Sequence, residues 1–159
     1  MDSRARAIED VYRRRYVAFR NALATVTGSE ESARDVVQDA FAEALRKRES
    51  FRGDGPLEAW VWRIALRLAF ASRGSWDVVP FPESAEPAIV EPGLDPELAN
   101  ALRRLPPRRR LLVFLRYFGD LSYSEIASVC GISEGTVAAT LAQARNELIT
   151  RLGQRGASA

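Results

Sequence analysis

The sequence predicts an all-α protein with two small helical domains joined by an acidic, proline-rich linker. Three observations support this prediction. Apolar residues recur at helical spacing on both sides of a central segment, five of the eight prolines fall in that segment, and the charge changes sign along the chain. The net charge is +3 for residues 1–74, −6 for residues 75–97 and +5 for residues 98–159. We therefore expect domains at 1–74 and 98–159 and a linker at 75–97.

The composition excludes several classes of function. The 159 residues contain no histidine and one cysteine, Cys130, so we expect no disulfide, no Cys- or His-based metal centre and no histidine-dependent hydrolase. No apolar run is long enough to span a membrane, and the N-terminus lacks a signal-peptide layout. No carboxylates are paired in the pattern of an acid–base site. We expect a cytoplasmic protein that is not an enzyme and needs no cofactor or metal, with Cys130 as a buried packing residue.

The N-terminal domain reads as three helices. The first runs from about Ser3 to Thr27 and stops at Gly28. The second begins after Ser29, a favourable N-cap, and repeats apolar residues at i, i+3, i+4 and i+7 from position 33 to position 45. The third follows a glycine-rich loop, with Pro56 where helices accept a first-turn proline.

The third helix has a second face of rings and guanidinium groups. Aromatic rings stack on unpaired bases and arginines neutralise phosphates, so such a face suits single-stranded or melting DNA. The alternative is a helix that is buried on two sides. The residues concerned are Trp62, Leu66 and Phe70, interleaved with Arg63, Arg67 and Arg73.

The C-terminal domain contains a helix-turn-helix pattern. Ser122 and Glu125 form a capping box at the start of a short helix, Gly131 turns the chain, and Ser133 caps a longer helix. In this motif the second helix enters the major groove of DNA by its N-terminal turns. A plain helical hairpin is the alternative interpretation.

Several motifs occur together in the order of a known family. They are residues 33–41, residues 51–53 followed by 60–65, residues 121–127, and residues 135–137. On these motifs the chain resembles the extracytoplasmic-function (ECF) subgroup of the sigma-70 family of bacterial RNA polymerase sigma factors. The resemblance covers nearly the whole chain outside the linker and the C-terminal tail.

The resemblance implies a transcription initiation factor. It would bind core RNA polymerase at the clamp helices and the flap and direct the enzyme to specific promoters. Residues 1–74 would form a region 2-like domain that melts and reads the −10 element. Residues 98–159 would form a region 4-like helix-turn-helix domain that reads the −35 element. The expected partners are core polymerase, promoter DNA and an anti-sigma factor, with the free protein monomeric and the catalysis left to the polymerase.

The resemblance also implies three groups of site residues. Polymerase docking is assigned to Asp35, Gln38, Asp39, Phe41 and Glu43, a stripe whose alternative is a solvated helix face. Contacts to the −10 element are assigned to Arg52, Trp60, Trp62, Arg63, Arg67, Phe70 and Arg73. Contacts to the −35 element are assigned to Ser133, Glu134, Thr136, Ala138, Ala139, Thr140, Gln143 and Arg145, with Arg108 and Arg109 on a preceding helix.

The sequence departs from the family pattern at several of these positions. Ala138 and Ala139 stand where basic or polar residues are usual, and Arg67 and Ala71 replace the usual Asn and Asp. With Arg145 the one basic residue across the recognition helix, phosphate contacts would have to come from preceding helices, at Arg103, Arg104, Arg108, Arg109, Arg110 and Arg116.

These departures keep two other hypotheses open. A sigma-like mimic would bind an anti-sigma factor or the polymerase without reading a promoter. A stand-alone helix-turn-helix repressor would bind DNA, but it would leave the docking motif at residues 33–41 unexplained.

Overall fold

A computed structural model describes residues 2–71 and 93–157, and these residues contain seven α-helices and no strand. The all-α prediction is confirmed. The helices are α1 (Ser3–Thr27), α2 (Glu30–Arg46), α3 (Leu57–Ala71), α4 (Pro96–Arg104), α5 (Pro107–Val113), α6 (Tyr123–Cys130) and α7 (Glu134–Ala157). A 3₁₀ turn, Arg48–Ser50, follows α2, and a π-helical turn, Phe114–Phe118, follows α5. Arg73 and residues 75–92 of the predicted linker lie outside the described residues, and the last two linker positions already belong to α4.

The helix ends follow the caps that the sequence predicts. The Ser29 side chain accepts a hydrogen bond of 3.0 Å from the backbone of Ser32, and both halves of the Ser122–Glu125 capping box are formed. Gly28 and Gly131 end α1 and α6 with φ of 88° and 70°, a left-handed conformation that costs glycine little. These helix boundaries are therefore set by local interactions.

Helices α1, α2 and α3 pack around a cluster of aromatic rings. The rings of Phe19 and Trp62 stack with their centroids 3.7 Å apart and their planes 8° from parallel. Phe41 meets Phe19 edge-on at 5.1 Å, and it meets Tyr12 in the same way at 5.0 Å. Phe19 and Trp62 are completely buried. The core of the N-terminal half is thus built from α1 to α3 around this stack.

Helices α4 to α7 form the C-terminal half around the predicted helix-turn-helix. Ile126 of α6 and Val137 and Leu141 of α7 are completely buried where the two helices meet. Cys130 is buried beside them, and burial raises the pKa of its thiol to about 12. The thiol therefore stays protonated at neutral pH and acts as a packing group, as the sequence predicts. No helix within the described residues has both the length and the apolar character needed to cross a bilayer.

The two halves share one hydrophobic core, which the sequence did not predict. Helix α1 packs on α5 and the π-helical turn, and α3 packs on α6. A Cβ atom at Gly119 would lie 3.2 Å from the Trp62 indole and 2.9 Å from the carbonyl oxygen of Leu115. A glycine at position 119 is therefore needed for this close approach of the two halves. Arg110 is also buried between the halves, where its Nε donates a hydrogen bond of 3.4 Å to Thr25.

Polar contacts also join the two halves at the surface. Arg15 of α1 donates to Asp120 Oδ2 at 3.0 Å and to the carbonyl oxygen of Phe118 at 3.1 Å, and it pairs with Glu58 of α3 at 3.3 Å. We call these contacts the Arg15 bridge. Asp120 takes part from a left-handed conformation with φ of 60°, which Asp tolerates better than most residues.

Candidate functional site

The outer face of α2 carries the exposed part of the predicted docking stripe. Asp35, Gln38 and Asp39 are exposed and share one face because they are three and four residues apart. Phe41 and Glu43 are buried, because one belongs to the aromatic cluster and the other points toward α3. For Glu43 the expectation of a surface contact is wrong in this arrangement, whereas Phe41 contributes to the wall of the groove beside the stripe.

A groove runs between α1 and α2 beside this stripe. It has a volume of about 640 Å³ and is lined mainly by apolar side chains, among them Ile8, Tyr12 and Leu45. Leu45 remains 39% exposed, and Gln38 of the stripe lies on the groove wall. Sequence reasoning missed the groove, although the spacing of Leu45 four residues after Phe41 places both on one side of α2. The exposed face of α2 therefore combines acidic, amide and apolar surface.

Glu43 connects α2 to α3. Its carboxylate accepts a hydrogen bond of 2.8 Å from Lys47 and forms an ion pair with Arg67 of α3. The hydrogen bond from Lys47, followed by that from Arg67, lowers the pKa of Glu43 against the opposing effect of desolvation. Arg67 is nevertheless 59% exposed. The carboxylate therefore holds an arginine that still reaches solvent.

The predicted ring-and-arginine face of α3 is only partly exposed. Trp62 and Leu66 are completely buried, so the expectation that Trp62 lies on a base-stacking surface is wrong in this structure. The reason is that α1 covers one flank of α3 and α6 packs on the helix as well. Arg63 is exposed and donates to the Ser128 hydroxyl of α6 at 3.1 Å, while Phe70 is half-buried. Guanidinium groups and one half-buried ring remain accessible on this face.

The start of α3 offers a second aromatic surface. Trp60 is half-buried, with its ring centroid 5.4 Å from that of Phe51. Arg52 is exposed in the preceding loop, which turns at Gly53 and Gly55 with φ of 80° and 93°. These side chains lie where the chain enters α3.

The first turns of the recognition helix α7 present mostly small side chains and no basic one. Ser133 accepts a hydrogen bond of 3.1 Å from the backbone of Thr136 and caps the helix. Thr140 is half-buried, and Asn146 is an additional exposed polar residue, three positions after Gln143, that sequence reasoning missed. The exposed predicted residues of this helix start are Ser133, Glu134, Thr136, Ala138, Ala139 and Gln143.

The arginines around α7 have internal partners. One nitrogen of Arg145 lies 3.3 Å from the hydroxyl of Tyr117 and 3.3 Å from that of Tyr123, and these two hydrogen bonds raise the pKa of Arg145. Arg109 is half-buried and forms an ion pair of 3.1 Å with Glu147. Arg108 is half-buried, and Arg110 is buried between the halves, so Arg110 does not reach a phosphate in this arrangement.

An apolar pocket lies between α4, α5 and α7. Its volume is about 360 Å³, and Leu98, Leu102, Tyr117 and Ile149 contribute to its walls. Ile149 is 69% exposed and Tyr117 is 50% exposed. An apolar pocket edged by exposed apolar side chains is a candidate interaction surface.

Two family models match the chain on either side of the central segment. The model for sigma-70 region 2 matches residues 11–72, and the model for sigma-70 region 4 matches residues 96–148. The chain belongs to the sigma-70 family. Region 2 of this sigma factor comprises most of α1 with α2 and α3, and region 4 comprises α4, α5, α6 and the first part of α7.

Curated relatives place the sigma factor in the ECF group. RNA polymerase sigma factor YlaC of Bacillus subtilis is 35% identical over 89% of this chain and 90% of the relative. The RNA polymerase sigma-H factor of Pseudomonas aeruginosa is 30% identical over 74% of this chain and 72% of the relative. The ECF RNA polymerase sigma-E factor of Escherichia coli K12 is 29% identical over 72% and 70%. The predicted family is confirmed.

Solved structures of sigma factors share the fold of both halves. RpoE of Bartonella quintana, solved with the anti-sigma factor NepR, superposes with a TM-score of 0.63 at 22% identity, over 91% of this chain and 95% of that one. CnrH, solved with the cytosolic domain of CnrY, superposes with a TM-score of 0.58 at 25% identity, over 94% and 89%. The predicted combination of regions 2 and 4 in one helical chain is confirmed.

Proposed function

We propose that this sigma factor binds core RNA polymerase and directs it to specific promoters, with region 2 opening and reading the −10 element and region 4 reading the −35 element. The observation that carries the proposal is the presence of both regions, in order, in one chain. The polymerase performs the chemistry, so the sigma factor supplies contacts and no catalytic group. Its place of action is the cytoplasm, where the polymerase transcribes.

The proposed docking sites are two surfaces of different chemistry. The Asp35–Asp39 face of α2 suits a basic helix of the polymerase clamp, and the adjoining apolar groove suits an apolar side chain from that helix. The region 4 pocket around Tyr117 and Ile149 suits an apolar helix such as the flap presents. Two separated contacts tether both regions to one enzyme and raise the local concentration of each at the promoter.

Tethering matters because region 4 has little charge on its recognition helix. Ala138, Ala139 and Thr136 can contact thymine methyl groups, but they neutralise no phosphate. Weak phosphate contact lowers DNA affinity steeply at physiological salt. We therefore expect region 4 to bind the −35 element only within the holoenzyme, and we propose an anti-sigma factor as the regulator of its assembly with polymerase.

Promoter binding requires the two regions to separate. The −10 and −35 elements are about 20 base pairs apart, which is about 70 Å of duplex. In this structure region 2 and region 4 are in direct contact, with Trp62 against Gly119. The residues 72–92 between them have an extended reach of about 70 Å, which is enough to allow the separation.

Loss of the Arg15 bridge will shift the free sigma factor toward a state in which regions 2 and 4 are separated. Arg15→Gln removes the charged contacts of α1 with Asp120 and with the carbonyl oxygen of Phe118, and we expect an increase of about three- to tenfold in the separated population, the value of about one partly exposed charged pair. Energy transfer between two dyes measures the separated population. The dyes are attached to cysteines introduced by Arg34→Cys in region 2 and Asn146→Cys in region 4, both at exposed positions. Cys130 is buried and stays unlabelled.

The matched control for this experiment is Arg13→Gln. Arg13 lies on the same helix and pairs with Glu9 of α1, so its loss affects no contact between the regions. Equal energy transfer in Arg15→Gln and Arg13→Gln would show that the bridge does not hold the regions together.

Run-off transcription with purified core polymerase over a promoter library tests the proposed function. We expect discrete start sites downstream of a common pair of elements. The lack of a basic side chain in the first turns of α7 favours one alternative, a sigma-like mimic that binds polymerase or an anti-sigma factor without reading DNA. Polymerase binding without transcripts from any library member would favour the mimic.

A further inference from the structure

We propose that Arg67 reads a guanine base in the opened −10 element and that Glu43 is the positioning residue that orients it. The inference rests on the proposed function, because it assigns a base preference to the region 2 surface. It concerns three helical positions of α3, Arg63, Arg67 and Phe70, together with the α2 carboxylate of Glu43.

The position of Arg67 makes its guanidinium accessible to a nucleic acid strand. It lies four residues after Arg63 and three before Phe70, so all three share one face of α3. Its side chain is 59% exposed, and region 4, which contacts Arg63 through Ser128, leaves it uncovered. The half-buried ring of Phe70 lies one turn further along the same face.

Glu43 anchors the guanidinium of Arg67 and limits the directions in which it can donate. The carboxylate is buried and is held by Lys47 at 2.8 Å on its own helix, so it has little freedom to move. Arg67 pairs with it through Nη2. This contact anchors one end of the planar guanidinium, so its other N–H groups lie in one plane with Nη2. Those groups make no further hydrogen bond within the described residues and stay available for a ligand.

Arg67 and Arg63 differ in how far a neighbouring group offsets their positive charge. The carboxylate of Glu43, which Arg67 shares with Lys47, offsets part of the charge of Arg67, so a phosphate gains less by approaching it. Arg63 donates to the neutral hydroxyl of Ser128 and keeps its charge for phosphate. An oriented arginine with compensated charge retains its hydrogen-bond donors, which suits it to the edge of a base. Guanine matches best, since its O6 and N7 accept two hydrogen bonds from one guanidinium.

A promoter library randomised through the −10 element tests the proposal with reconstituted holoenzyme. Transcripts from the wild type should be enriched for guanine at one position by about 5- to 100-fold, the discrimination expected of one bidentate pair. Arg67→Gln should move the preference at that position to adenine, because a Gln side chain pairs with N6 and N7 of adenine. Arg63→Gln is the matched control, and it should reduce transcription without changing the base preference.

Glu43→Gln tests the positioning role. It should lower the guanine enrichment several-fold while DNA affinity at low salt stays equal or rises, because the charge of Arg67 is no longer compensated. A merely structural role would lower transcription from every promoter equally. Thermal unfolding of each variant verifies that the fold is retained.

The outcomes separate this proposal from the proposed function. No guanine enrichment at any −10 position, or an unchanged preference in Arg67→Gln, would overturn the assignment while promoter-directed transcription continued. Absence of transcripts from the whole library with wild-type protein would overturn both.

Discussion

Charge reversal of both Asp35 and Asp39 to arginine will weaken the binding of this sigma factor to core polymerase by about 10- to 100-fold. Both carboxylates are exposed on one face of α2, so they can meet basic residues of a docking helix. Reversal replaces attraction with repulsion at two neighbouring positions of one interface, and a 10- to 100-fold loss corresponds to about 1.4–2.8 kcal/mol, toward the lower end of the coupling energies of close charge pairs. Competition binding of labelled protein to core polymerase measures the change.

A double variant with the same change in charge serves as the control. Asp10→Arg with Glu97→Arg alters two exposed acids on α1 and α4, outside the proposed docking face. We expect its affinity for core polymerase to stay within about threefold of wild type. Equal losses in the two double variants would mean that net charge, and not the α2 face, governs binding.

Truncation of Trp62 to alanine will lower the free energy of unfolding by about 3–5 kcal/mol, as large-to-small changes in a core do. The indole is completely buried, stacks on Phe19 at 3.7 Å and lies against Gly119 of the other half. Its removal therefore leaves a cavity between the regions. Urea unfolding followed by circular dichroism measures the loss, and core binding and promoter opening should decline together.

Two further variants make the Trp62 result decisive. Trp62→Phe should cost less than the alanine change, because a ring remains and the buried Nε1, which has no hydrogen-bond partner among the described residues, is removed. Trp60→Ala, at a half-buried position, should also cost less. If Trp62→Ala kept wild-type stability and lost only promoter opening, Trp62 would act as a DNA contact and not as a core residue.

The sequence predicted the helices well because their ends depend on neighbouring residues. The hydrogen bonds of Ser29 and of the Ser122–Glu125 box span three residues, and Gly131 ends α6 through its own backbone preference. The exposed positions of α2 followed from periodicity in the same way. Val37 and Ala40 form the buried face of α2. Helical spacing alone therefore places Asp35, Gln38 and Asp39 on the exposed side.

The sequence could not predict whether the second face of α3 is covered by other helices. Trp62, Leu66 and Phe70 share a spacing of four residues, and spacing identifies residues on one face without saying what packs on it. That depends on α1 and on α6, a helix more than fifty residues further along the chain. Trp62 was therefore predicted as a DNA contact and is a core residue in the structure.

The amino-acid sequence by itself determined the family, the order of the two regions, the helix limits and the helix-turn-helix, because motifs and caps are local. The tertiary structure alone decided the Glu43–Arg67 pair, the burial of Arg110 and the Arg15 bridge. Each of these joins residues from different helices, and a side chain's electrostatic partner depends on how those helices pack. The burial that removes Trp62 from the surface and the ion pair that orients Arg67 are both consequences of that packing.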